Sequence, residues 1–69
     1  MRIEIQFEEQ APGEWMAEAP ELPGVVAFGH TKRTACVNAL ALTLRVLADL
    51  VEAGEISDRR YSVSLASRW

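Results

Sequence analysis

The sequence predicts an α+β fold with element order β-β-β-α-β, and three observations carry that expectation. Residues 2–8 alternate in polarity with a period of two. All residues from Ala35 to Val51 are apolar except Asn38, Thr43, Arg45 and Asp49, and residues 61–65 return to alternation.

The first strand is expected over 2–8, with Ile3, Ile5 and Phe7 on one face and Glu4, Gln6 and Glu8 on the other. Gln10-Ala11-Pro12-Gly13 supplies a turn, because proline presets its own φ and glycine accepts positive φ at no steric cost. A second strand over 14–19 then puts Trp15, Ala17 and Ala19 on one face and Glu14, Met16 and Glu18 on a solvated one. Pro20 and Pro23, which lack amide donors, and Gly24 stop the ladder and reverse the chain. The third strand, 25–30, alternates weakly because Val25, Val26, Ala27 and Phe28 are all apolar, so both of its faces are expected to be covered.

Thr31 is placed to cap a helix and Gly54 to end it in the left-handed conformation. The helix is expected to run about 22 residues, or roughly 33 Å. A loop over 55–58 leads to a fourth strand in which Tyr61, Val63 and Leu65 alternate with Ser62 and Ser64.

The chain has 69 residues, 49% of them hydrophobic, and this suits a single domain over 1–69 near the lower size limit for a self-sufficient core. Such domains are usually held by disulfides, a metal or self-association. The lone Cys36 excludes an intrachain disulfide, and the single histidine, His30, is a poor basis for structural zinc, so association remains and no cofactor is expected. A formal charge of -3 opposes nonspecific attraction to nucleic acid or anionic membrane. The polar alternation at the N-terminus is unlike a secretory signal, and Arg45 and Asp49 interrupt the helix as a bilayer span; a cytoplasmic setting is expected.

At about 100° per residue, Cys36, Leu40, Leu44, Leu47 and Val51 share one helix face, which is assigned to the sheet residues Ile3, Ile5, Phe7 and Trp15. Ala35, Ala39, Leu42, Val46 and Leu50 then lie beyond the reach of one sheet, and Asn38, Arg45, Asp49 and Glu52 form a polar stripe. Leaving the large residues of that second face in water forgoes about 1.5 to 3 kcal/mol each. Ala39, Leu42, Val46 and Leu50, with the terminal Trp69, are therefore the expected oligomer or partner interface. The alternative is that the sheet curls, or that residues 66–69 fold over, to cover that face within one chain.

At Trp15-Met16-Ala17-Glu18-Ala19-Pro20-Glu21-Leu22-Pro23-Gly24-Val25, followed by Gly29-His30-Thr31, the chain resembles the N-terminal domain of HicB-type antitoxins. The family pattern is an aromatic and a small residue on the second strand, an acidic-Leu-Pro-Gly turn, and a Gly-x-Thr step into a helix with alanines such as Ala35 and Ala39. The resemblance covers nearly the whole chain. It implies a partial ribonuclease-H-like arrangement, in which an antiparallel three-stranded meander is joined by a fourth strand parallel to the first. A right-handed crossover then places the long helix on one face. It also implies an oligomer that neutralises a small RNA-cleaving, HicA-like toxin by covering its active surface. Family members usually add a C-terminal DNA-binding domain; none is expected within these residues, so direct nucleic-acid contact is not expected either. The family's acidic residues after the threonine are replaced by Lys32 and Arg33, which oppose the helix dipole at about 0.3 to 1 kcal/mol.

His30, Lys32 and Arg33 could instead make an anion site at the helix start, giving a rival reading as a small-ligand module; the simpler account is two solvated charges and a strand-ending histidine. A third reading is a relic domain whose only property is assembly. No catalytic residues are assigned. Only Asp49 and Asp58 are aspartates and both lie outside the strands, which argues against a two-metal nuclease. Cys36 and His30 lack an evident third group to orient the imidazole.

Overall fold

A computed structural model describes residues 2–55 and the backbone of Ser64–Ser67. The fold is α+β: β1 (Arg2–Ala11), β2 (Glu14–Glu18) and β3 (Val26–Gly29) form an antiparallel sheet, and α1 (Lys32–Glu52) packs on one face of it. The extended segment Ser64–Ser67 runs along the other side of β1, with Arg2 opposite Ser64 and Ile5 opposite Ser67.

β1 continues past the expected turn because Glu9 pairs with Trp15 and Ala11 with Glu14, so a register irregularity absorbs Gln10 and the reversal shrinks to Pro12-Gly13. Gly13 takes φ 75 there, a value glycine adopts without strain. The Pro-rich connection folds tightly, with Leu22 N donating to Ala19 O and Ala19 N donating to Val25 O. Leu22, Ala19 and Val25 are buried within this connection.

The helix boundaries follow the sequence closely. The Thr31 hydroxyl accepts from Thr34 N at 3.0 Å, which satisfies one of the free amides of the first turn. At the far end Gly54 N donates to Val51 O and Glu55 N to Leu50 O, with Gly54 at φ 73, the paired bonding that closes helices on a left-handed residue. By length and composition alone α1 also meets the requirement for crossing a membrane, despite Arg45 and Asp49.

The helix is turned differently from expectation. Its buried residues are Ala35, Cys36, Ala39, Thr43 and Leu47, with Leu40, Leu42, Val46 and Leu50 partly buried against them. Leu44 and Val51, assigned to the core from sequence, are exposed, and Ala35 and Ala39, assigned to the second face, are fully buried. The core stripe is thus rotated by about 80°. The reason is size. Ala17 and Ala27 on the sheet, with Ala19 just past the end of β2, leave room for only small side chains, so α1 approaches through its alanines and its larger residues are displaced to the flanks. Thr43 fits this crowded seam because its hydroxyl donates to Ala39 O at 2.8 Å, leaving no orphaned polar group.

Candidate functional site

β3 expected to be covered on both faces is covered on one. Ala27 and Val25 turn inward, whereas Val26 and Phe28 stand 41% and 62% exposed on the sheet face opposite α1. Cross-strand register extends this surface. Phe28 lies opposite Met16, and Met16 opposite Glu8; Val26 lies opposite Glu18, and Glu18 opposite Gln6. Directly opposed residues project to the same side of a sheet, so Val26, Phe28 and Met16 form an apolar patch that meets the carboxylates of Glu8 and Glu18. At the hairpin end the patch opens into a concavity of about 470 Å³ lined by Gln10, Glu14, Trp15, Phe28, Gly29 and His30.

Asn38 ties this strand to the helix. Its side-chain Nδ2 donates to Phe28 O at 2.8 Å, occupying a carbonyl of β3 and locating the polar stripe of α1 on the β3 side.

A second apolar surface lies on α1. Val37 and Leu44 are 54% and 55% exposed, Val51 is also exposed, and Ala41 and Ala48 fall between them at alternating steps of four and three. Arg33, Cys36, Val37 and Leu40 line a concavity of about 580 Å³ beside the N-terminal half of this stripe.

The structure redistributes the residues singled out from sequence. Ala39 is fully buried in the protomer and is corrected from interface to core. Leu42, Val46 and Leu50 are partly buried against the core within the protomer. Trp69 lies outside the described residues, as do Tyr61 and Val63. His30, Lys32 and Arg33 face three environments: His30 lines the concavity beside Glu14, the Lys32 ammonium sits 4.9 Å from the centre of the Phe7 ring, and Arg33 flanks the other concavity. Cys36 is buried, whereas His30 is exposed at the end of β3. Among the described residues no group of histidine, cysteine and carboxylate side chains is arranged to hold a metal ion.

Sequence reasoning missed Val26 and Phe28 because four successive apolar residues conceal which face is buried. It misassigned Leu44 and Val51 because it gave the core to the larger residues. The four-three spacing of Val37, Ala41, Leu44, Ala48 and Val51 was a signal that could have exposed the second surface.

No family model, characterised protein or solved structure matches the chain.

Proposed function

We propose that this chain is a cytoplasmic, HicB-like protein-binding module that self-associates and neutralises a small RNA-cleaving, HicA-like toxin. The supporting observation is the apolar patch of Val26, Phe28 and Met16 bordered by Glu8, Glu14 and Glu18. A ribonuclease binds a polyanion and so presents cations around its active surface; an apolar centre with a carboxylate border is the complement of such a surface. The Leu22-Pro23-Gly24 turn and the Gly29-His30-Thr31 step, which carry the resemblance, bracket this same strand. The fold proposed for the family is completed by Ser64–Ser67 as β4. The same-direction register of Arg2 to Ile5 with Ser64 to Ser67 supports a strand parallel to β1 and the order β-β-β-α-β.

The rival anion-binding reading is weaker because Glu14 shares the concavity with His30, while Lys32 and Arg33 face elsewhere. This reading predicts a short neighbouring reading frame encoding a small basic protein; the test is co-expression with that product, followed by copurification and an RNA-cleavage assay. Capture of that protein and suppression of cleavage, both lost in Phe28→Asp, are expected. Inhibition that survives this substitution would remove the sheet face from the mechanism.

A further inference from the structure

We propose that two copies of this chain pack antiparallel through the open stripe of α1, about a two-fold axis passing beside Leu44. The proposal rests on the self-association in the reading above and not on the sheet-face partner. Three features of α1 select a second copy as the occupant.

The first is spacing. Val37, Ala41, Leu44, Ala48 and Val51 recur at steps of four and three, the seam that helices use to interlock side chains along their length. The second is self-complementarity. Valine lies seven residues before and seven after Leu44, and alanine lies between on each side. In an antiparallel pair Leu44 meets Leu44, Val37 meets Val51, and the alanines face one another and allow close approach. An isologous interface requires this kind of self-matching.

The third is charge. The first turn of α1 holds Lys32 and Arg33 and no acid, and its last turn holds Asp49 and Glu52 and no base, with Glu55 beyond. Within one chain both ends oppose the helix dipole. Between antiparallel copies the same charges agree: Arg33 stands eleven residues before Leu44 and Glu55 eleven after, so the basic end of each helix faces the acidic end of the other. A parallel pair would set like charges together at both ends.

Light scattering and disulfide trapping test this. The wild-type chain is expected at twice its 7.7 kDa mass, and Leu44→Glu, at an exposed position, is expected to weaken association at least about tenfold with unchanged circular dichroism. In a Cys36→Ala background, Leu44→Cys is expected to cross-link to itself. Val37→Cys is expected to remain uncross-linked alone, because the two copies of that residue lie about 21 Å apart, and to cross-link when mixed with Val51→Cys. If Cys36→Ala impairs folding, Arg33→Glu paired with Glu55→Arg gives the second test: each alone weakens association and the pair restores it. Self-cross-linking of Val37→Cys would overturn the antiparallel arrangement. An oligomer indifferent to Leu44→Glu would overturn this surface while leaving self-association intact, and a wild-type monomer would overturn both.

Discussion

A methyl group on Gly29 would stand 2.5 Å from the Ala35 amide nitrogen and 2.9 Å from the Thr34 carbonyl carbon. The end of β3 therefore lies directly against the first turn of α1, and the atoms in the way are mostly backbone, which cannot swing aside. Gly29→Ala is expected to destabilise the protein by about 1 to 3 kcal/mol, the usual range for overpacking. A urea midpoint equal to wild type would show that the strand and helix can separate without loss.

The rotation of α1 separates two aspartate substitutions. Val46 packs partly against the core, so Val46→Asp is expected to lower stability by about 1 to 3 kcal/mol by bringing a carboxylate against apolar surface. Leu44 is exposed, and Leu44→Asp is expected to leave the thermal midpoint of the monomer nearly unchanged. Melting by circular dichroism at low protein concentration ranks the two; the reverse order would mean that the helix is turned the other way.

Arg33→Glu is expected to act with opposite signs on two measurements. An acid in the first turn suits the helix dipole and should stabilise the monomer by about 0.3 to 1 kcal/mol. The same change removes the cation proposed to face Glu55 of a second copy, so association weakens. Urea denaturation of a Leu44→Glu monomer isolates the first effect, and light scattering on the otherwise wild-type chain reads the second.

Asn38→Ala removes the 2.8 Å bond to Phe28 O and is expected to cost about 0.5 to 1.5 kcal/mol. Hydrogen exchange of the β3 amides should quicken, because that bond holds the strand to the helix. Unchanged exchange would reduce Asn38 to a solvated side chain.

Thr43→Val is expected to stay within about 1 kcal/mol of wild type. The shape is nearly kept, and the only partner lost is a carbonyl of the same helix. Thr43→Leu is expected to cost about 1 to 3 kcal/mol, since the residue is fully buried against a crowded sheet. Paired denaturation curves give both values.

Local chemistry was legible in the sequence. The alternation of β1, the Pro12-Gly13 reversal, the Thr31 cap and the Gly54 stop each depend on residues within a few positions of one another, and each occurs where those residues stand. The apolar content of α1, which exceeds what one sheet face covers, was visible in the same way.

Which side of α1 meets the sheet was decided by tertiary structure. Periodicity groups residues by angle but does not say how close the opposing layer comes. That distance was set by Ala17, Ala19 and Ala27 meeting Ala35 and Ala39, and by the absent side chain of Gly29. Small residues on both layers drew the helix in and turned Leu44 and Val51 outward. The open sheet face had the same kind of origin: Val26 and Phe28 became a surface only when Ala27 was taken as the inward residue and β3 as the edge of the sheet.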